Sequence, residues 1–199
     1  MMSKTGNVFL IAGVCAAVLS CSPSGVEKPT TPSRATTKGP TQTPSNQHSA
    51  QWTATVRGNS LEGLVPAGAE ITFTPLSDAE LPARGELVAL RIGGRNAPVL
   101  KVVRGLPGDR FALRKVADSD RWALYVNDVE LQTSTGAPFR FNERRMRMLQ
   151  LYEKDSAGIL PKDAILVLGN KAEGTLDATR FGLVGTTDVL GRAQVPDRP

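Results

Sequence analysis

Histidine and cysteine are missing from most of this sequence. Residues 51–199 contain neither, because His48, Cys15 and Cys21 all precede residue 51. Catalysis by a His base or a Cys nucleophile, a disulfide framework and a zinc site of Cys and His are therefore excluded for residues 51–199. An acidic loop with calcium-binding spacing, a glycine-rich phosphate loop and a repeat of fixed period are absent too. We expect no metal and no cofactor.

A strong charge imbalance is also missing from the main part of the chain. The net charge is +5, but the first 50 residues hold four of the 24 basic side chains and one of the 19 acidic ones. Residues 51–199 therefore carry 20 basic and 18 acidic side chains. Interspersed charges of both signs predict an ordinary solvated surface, so we expect no nucleic-acid partner.

The longest apolar run is too short for a membrane-spanning helix. It extends from Val8 to Leu19, about twelve residues, where a span needs roughly 20. Such a run is typical of an export signal. The letters VLSC, which end at Cys21, resemble the lipobox of bacterial lipoproteins, in which the cysteine is lipidated after cleavage. A plain signal peptide and an uncleaved anchor are the alternatives, and by the lipobox resemblance Ser22 favours the outer membrane of a Gram-negative cell.

Residues 22–50 separate this signal from the rest of the chain. Sixteen of these 29 residues are Pro, Ser or Thr, and only three are apolar. Such a composition buries too little apolar surface to offset the entropy of ordering. We therefore predict a signal peptide over 1–21, a disordered linker over 22–50 and a folded domain over 51–199.

The folded domain is predicted to be mainly β. Short runs rich in Val, Ile, Leu and aromatic residues alternate with Gly, Pro, Asn and Asp, which is typical of an antiparallel or barrel-like fold. Residues 142–154, NERRMRMLQLYEK, favour a helix but are also compatible with an extended arm. The predicted strands are WTATVR, EITFTP, ELVALRI, VLKVVR, RFALRK, RWALYV, PFRF and AILVL.

Two residues of the domain are candidates for chemistry. Ser60 follows Gly58 and Asn59 at the end of a predicted strand, where a bend can present a hydroxyl and its own N–H. Lys101 lies among valines just before the turn GLPGD, and burial there lowers a lysine pKa and makes the neutral amine available as a general base. A serine in an ordinary turn and a surface lysine at a strand edge are the alternative interpretations.

Three boxes around these residues resemble bacterial type I signal peptidases, membrane-attached serine proteases that remove leader peptides with a Ser-Lys dyad. The family's first motif, G-x-S-M-x-P-T-L-x-x-G-D, is similar to GNSLEGLVPAGA from Gly58. Its second motif, K-R-V-x-G-L-P-G-D, is similar to KVVRGLPGD from Lys101. Its third motif, G-D-N-R-x-x-S-x-D-S-R-x-x-G, aligns without a gap on GNKAEGTLDATRFG from Gly169.

The resemblance implies a signal-peptidase-like β fold and a role for each matching residue. Ser60 would be the nucleophile and Lys101 its base, Thr175 would orient the amine, and Asp177 would be structural and paired with a basic side chain. An extended peptide would add along two strands and place small side chains in shallow apolar pockets. The substrate-binding residues would be Ala54, Val56, Arg57, Val99 and Leu100.

The third box also departs from the family pattern. Asn170, Lys171 and Ala172 replace Asp-Asn-Arg, and Thr179 replaces the Arg that follows the Asp. A catalytically weakened, lipid-tethered peptide-binding or envelope-assembly module therefore remains an alternative, as does a specialised pilin-maturation protease. The implied partners are exported preproteins or other peptides and, through the N-terminus, membrane lipid. The implied location is the cell envelope, facing the periplasm or exterior.

Overall fold

The structure, a computed structural model, describes residues 50–77 and 79–194. The predicted signal peptide with Cys21, and all of the predicted linker except Ala50, lie outside the described residues. Among the described residues, no helix has the length and apolar character needed to cross a membrane. No three His, Cys, Asp or Glu side chains of this part of the chain lie together as metal ligands would.

The larger sheet contains seven strands, and every pair in it is antiparallel. The strands are β1 Trp52–Thr55, β2 Glu70–Pro75, β3 Leu87–Leu90, β4 Val99–Gly105, β9 Ala164–Leu168, β10 Val184–Gly185 and β11 Val189–Gln194. Their spatial order is β1, β2, β11, β3, β4, β9 and β10. The prediction of a mainly β, antiparallel fold is confirmed.

A second, smaller sheet packs against the only long helix among the described residues. Its strands are β5 Phe111–Lys115, β6 Arg121–Val126, β7 Val129–Glu130 and β8 Phe141–Asn142. Helix α1, Glu143–Asp155, begins after Asn142, whose side chain accepts a hydrogen bond from the Arg145 N–H. Met146 and Leu149, three positions apart, are fully buried in the core beneath this sheet. The ambiguous segment is therefore a helix rather than an extended arm.

Strand β4 carries Lys101 and leaves part of its length unpaired. It pairs with β3 from Val99 to Val102 but with β9 only from Val102 onward. Residues 99–101 therefore have a neighbouring strand on one side only. Strand β1 is an edge strand, since β2 is its one partner in the sheet. Two stretches of backbone are thus available to pair with an added chain.

Strand β11 is central in the sheet but was not among the predicted strands. Its sequence VLGRAQ contains Gly191, and a glycine weakens a strand pattern. The structure shows why a glycine is needed there: a Cβ at position 191 would lie 2.6 Å from the ring of Trp52 and 2.6 Å from the Thr74 carbonyl oxygen. Trp52 stacks on Phe73 at a centroid distance of 5.3 Å, so Gly191 makes room for an aromatic pair of the core.

Candidate active site

Ser60 lies in a loop whose two ends are joined by main-chain hydrogen bonds. The Val56 N–H donates to the Ala69 carbonyl, and the Gly68 N–H donates to the Val56 carbonyl, which closes the loop at its base. Leu61, next to the serine, is buried in the core with Val65. Ser60 itself is half-buried at the floor of a cleft. Its hydroxyl is therefore fixed in position by a buried neighbour while remaining accessible.

Lys101 meets this serine from β4, across 41 positions of sequence. Its side chain is only 3% exposed. The Lys101 ammonium donates to Ser60 Oγ at 3.2 Å and to the Leu100 carbonyl oxygen at 2.7 Å. When the amine is neutral, the same separation allows the Ser60 hydroxyl to donate to Nζ. A nucleophile and a base within hydrogen-bond reach are the arrangement that an activated serine requires.

The surroundings of Lys101 lower the pKa of its amine to about 8. Burial is the main cause, because it disfavours the charged form. The Asp177 carboxylate raises the pKa and the Arg95 guanidinium lowers it, both by smaller amounts than burial. A substantial neutral fraction of the amine is therefore present at mildly alkaline pH.

Asp177 of the third box is completely buried. It accepts hydrogen bonds from the main-chain N–H groups of Gly169, Thr175 and Thr179 and from the hydroxyls of both threonines, at 2.7 to 3.3 Å. A carboxylate that accepts several N–H and O–H donors tolerates burial without an ion pair. Asp177 thereby fixes the loop of the third box.

Two sequence-based expectations about this loop are corrected. Asp177 was expected to pair with a basic side chain, but no ion pair to it lies among the described residues, and hydrogen-bond donors satisfy it instead. Thr175 was expected to hydrogen-bond the Lys101 amine. Its hydroxyl instead donates to Asp177 at 2.8 Å, and the two hydrogen bonds of the amine go to Ser60 and Leu100. Thr175 therefore supports Asp177, whose charge acts on Lys101.

Arg145 reaches the same network from helix α1 and was not recognised in the sequence. Its Nη1 donates to the Thr175 carbonyl oxygen at 2.6 Å and to Thr179 Oγ1 at 3.2 Å. Since Thr179 Oγ1 accepts from Arg145, its own proton points to Asp177. A guanidinium from a helix 30 or more positions away in the sequence thus supports the third box.

Replacing Arg145 tests this support. We expect Arg145→Met to lower the free energy of unfolding by about 2 kcal/mol, because two hydrogen bonds from a charged donor are lost, and to lower kcat several-fold by loosening the loop. Urea denaturation and peptidase assays measure the two effects. Arg144→Met is the matched control, since Arg144 is the exposed neighbour on the same helix. Equal free energies of unfolding and equal kcat values for the two variants would contradict the role of Arg145.

Asn170 and Lys171, two departures from the family pattern, bind the loop that carries Ser60. The Asn170 N–H donates to the Ser60 carbonyl at 2.7 Å, and its side-chain amide donates to the Glu62 carbonyl at 2.7 Å. Lys171 forms an ion pair with Glu62 at 2.9 Å. The altered residues therefore join the third box to the first, and their substitution does not leave the serine loop unsupported.

The GLPGD turn fixes the end of β4. Asp109 accepts hydrogen bonds from Arg84 at 2.6 Å and from Asn127 at 2.8 Å. Arg84 also donates to the Arg104 carbonyl oxygen on β4 at 2.6 Å. The turn thus holds the strand of Lys101 against its neighbours and lies outside the cleft, which indicates a structural role for this box.

The cleft beside Ser60 and Lys101 has a volume of about 600 Å³. The structure brings all the predicted substrate-binding residues together along it: Ala54, Val56, Arg57, Val99 and Leu100. Trp52, Phe73 and Leu61 supply much of the remaining apolar lining. Arg95 and Leu176 also line the cleft and were not predicted. Arg95 belongs to a loop and Leu176 to the third box, and neither carries a local sequence signal of binding.

Comparisons with known proteins show the family to which this chain belongs. No curated protein matches the chain. A signal peptidase I of Enterococcus faecalis V583 is a similar solved structure, with 21% identity, a TM-score of 0.37 and coverage of 57% of this chain and 97% of that one. The model of the family "Signal peptidase, peptidase S26" matches residues 45–196, which include all three boxes. Because that match covers 152 of the 199 residues, the chain belongs to the signal peptidase family, peptidase S26, and is a serine peptidase.

Proposed function

We propose that this peptidase cleaves leader or signal peptides after small residues, using Ser60 as nucleophile and Lys101 as general base. One observation carries the proposal: the amine of a buried lysine lies 3.2 Å from the hydroxyl of a serine at the floor of an open cleft. With histidine and cysteine absent from residues 51–199, the lysine is the available base for that serine.

Acylation follows from this geometry. Neutral Lys101 Nζ takes the Ser60 proton as Oγ attacks the scissile carbonyl carbon, and a tetrahedral oxyanion forms. The C–N bond then breaks, and the protonated Lys101 gives its proton to the leaving amine. The product is an ester between Ser60 and the leader peptide, with Lys101 neutral again.

Deacylation uses the same lysine. Lys101 takes a proton from a water molecule, whose oxygen attacks the ester carbon, and the C–O bond to Ser60 breaks as Oγ recovers the proton from Lys101. The leader leaves as a free carboxylic acid. Both steps need neutral Lys101, so its desolvation serves both.

The oxyanion needs a donor near the serine. The Ser60 backbone N–H has no hydrogen-bond acceptor among the described residues, so it is available to donate to an oxyanion. Gly58, two positions earlier, offers no hydroxyl for a second bond. We infer that the Ser60 N–H is the principal oxyanion donor.

The substrate would lie extended between β1 and the start of β4. These two stretches of backbone lack a neighbouring strand on one side, so a peptide can pair with them by strand addition. The small and apolar side chains of Ala54, Val56, Val99 and Leu100 line the space between them. A cleft of this shape favours small substrate side chains such as Ala at the cleavage site.

We also propose that the enzyme acts at the cell envelope, facing the periplasm or exterior. The support for this is the sequence alone: an export signal with a lipobox-like end at Cys21 and a polar linker as far as residue 50. A lipid on Cys21 would hold the domain at a membrane surface of the envelope.

Cleavage of a quenched Ala-x-Ala leader peptide by the full chain in detergent tests the proposed function. The general base must be neutral, and the pKa of Lys101 is about 8. We therefore expect kcat/KM to rise about tenfold per pH unit below that pKa and to level off above it. The profile is measured from about pH 6 to about pH 10, within which the protein is checked for folding by circular dichroism.

A kcat/KM that does not change with pH would contradict the role of Lys101 as the general base. No cleavage of several leader and pilin-type peptides above the background of Ser60→Ala, from folded protein, would favour the peptide-binding module instead. Preference for pilin-type over leader peptides would favour the specialised maturation protease.

A further inference from the structure

Two arginines line the cleft. Arg57 follows β1, and Arg95 lies in the loop before β4. Both are exposed. Neither forms an ion pair or a side-chain hydrogen bond with any other described residue. Their guanidinium groups are thus free to bind a ligand that enters the cleft.

No carboxylate among the cleft-lining residues balances these charges. The lining contains no Asp or Glu, and its remaining charged group is Lys101 itself. The nearest acidic residue in the third box, Asp177, is fully buried and bonded to its own donors. Some arginines elsewhere on the surface do pair with acids, as Arg114 does with Asp128 at 2.8 Å. The two arginines therefore give the cleft a positive charge that none of its lining residues neutralises.

The position of the arginines limits which part of a substrate they can reach. Arg57 precedes Ser60 by three residues, at most about 11 Å along the chain. An extended peptide advances about 3.3 Å per residue. Arg95 lines the same cleft as Ser60 and Lys101. We therefore expect both guanidinium groups to reach substrate residues within about three positions of the scissile bond.

We propose that Arg57 and Arg95 select substrates with an Asp or Glu side chain within three residues of the scissile bond. The proposal rests on the peptidase function proposed above and adds the charge of the substrate. A guanidinium forms two parallel hydrogen bonds with a carboxylate, and this geometry favours an acid over a neutral amide. The concave cleft accommodates a peptide, whereas a flat anionic membrane surface does not enter it.

The test compares matched Ala-x-Ala peptides with the full chain in nonionic detergent. At the middle position of the Ala-x-Ala motif and at each of the three positions after the scissile bond, one peptide carries Asp, a second Asn and a third Lys. At one or more positions we expect kcat/KM to be at least about threefold higher for Asp than for Lys, with Asn between them. Raising the salt from about 0.05 M to about 0.5 M should narrow the difference.

Charge reversal assigns the preference to the two arginines. Arg95→Glu and Arg57→Glu should each reduce the Asp-to-Lys ratio, and the double variant should invert it. The ratio is compared rather than the rate, because Arg95 also acts on Lys101. Arg91→Glu is the matched control, since Arg91 is exposed in the same loop but does not line the cleft, and it should keep the wild-type ratio.

Two outcomes of the cleavage assay overturn the proposal, and a third transfers the test to peptide binding. Equal cleavage of all peptides would remove the charge selection and leave the peptidase function standing. Equal cleavage, together with loss of binding to anionic vesicles in the reversal variants, would assign the arginines to a membrane surface. If no peptide is cleaved, the proposed peptidase function fails. The Kd values of labelled Asp, Asn and Lys peptides, measured by fluorescence anisotropy, then decide the charge selection. Equal Kd values would overturn it.

Discussion

Lys101→Met is expected to abolish peptidase activity while leaving the protein at least as stable as the wild type. Activity should fall at least about 10³-fold, because no other base lies within reach of Ser60 among the described residues. Ser60→Ala should show a loss of the same size, and the double variant should be no worse than either single one, since the two residues act as a unit.

The stability of Lys101→Met follows from the pKa of the buried amine. Folding lowers that pKa from 10.5 to about 8, so the folded state binds a proton less readily than the unfolded chain. Below about pH 8 this costs about 3 kcal/mol of stability, and the cost fades between about pH 8 and 10.5. Methionine of similar length removes the cost but also two hydrogen bonds, at about 1 kcal/mol each.

Urea denaturation of both proteins at about pH 7 and about pH 10 measures this effect. The free energy of unfolding of the variant should match or exceed that of the wild type at the lower pH. At the higher pH the variant should lose this advantage. A variant clearly less stable than the wild type at pH 7 would show that Lys101 has a mainly structural role.

Gly169→Ala is expected to have the second-largest effect. A Cβ at this position would lie 2.2 Å from Thr175 Oγ1 and 2.8 Å from the Ser60 carbonyl oxygen. The added methyl group must therefore displace the serine loop or the third box. We expect kcat to fall about 10²-fold, because a shift of about 1 Å at the nucleophile has that consequence, and the free energy of unfolding to fall by about 1–3 kcal/mol.

Gly93→Ala is the matched control for this variant. A Cβ at position 93 would meet no atom within 4 Å, so its activity and stability should remain close to those of the wild type. Peptidase assays and urea denaturation of the two variants measure the difference. A Gly169→Ala protein with wild-type kcat would contradict the close approach of the third box to Ser60.

Much of the fold, and Ser60 and Lys101 as candidate residues, could be predicted from local sequence. The β-rich runs indicated most of the strands, because side-chain composition and turn residues act locally. Lys101 was recognised because a charge among valines on a strand is unusual. Strand β11 was missed because Gly191, which weakens its pattern, is required by a contact with Trp52 distant in sequence.

The contacts that hold the loops of the candidate site in place could not be predicted from local sequence. Arg145 contacts the third box from a helix 30 positions away, and Asn170 binds the Ser60 loop across more than 100 positions. These contacts depend on how strands and helix come together in three dimensions. The sequence showed that residues of the third box had changed, but the structure was needed to show which contacts the new residues make.

The most direct test of the Ser60–Lys101 dyad is covalent labelling of Ser60 as a function of pH. The full chain is treated with an Ala-x-Ala peptidyl phosphonate ester, and the modified residue is identified by mass spectrometry of a digest. We predict modification at Ser60 with a rate that rises through about pH 8, the pKa of Lys101, and none in Lys101→Met. Modification at another residue, or at Ser60 with a rate independent of pH and of Lys101, would contradict the dyad.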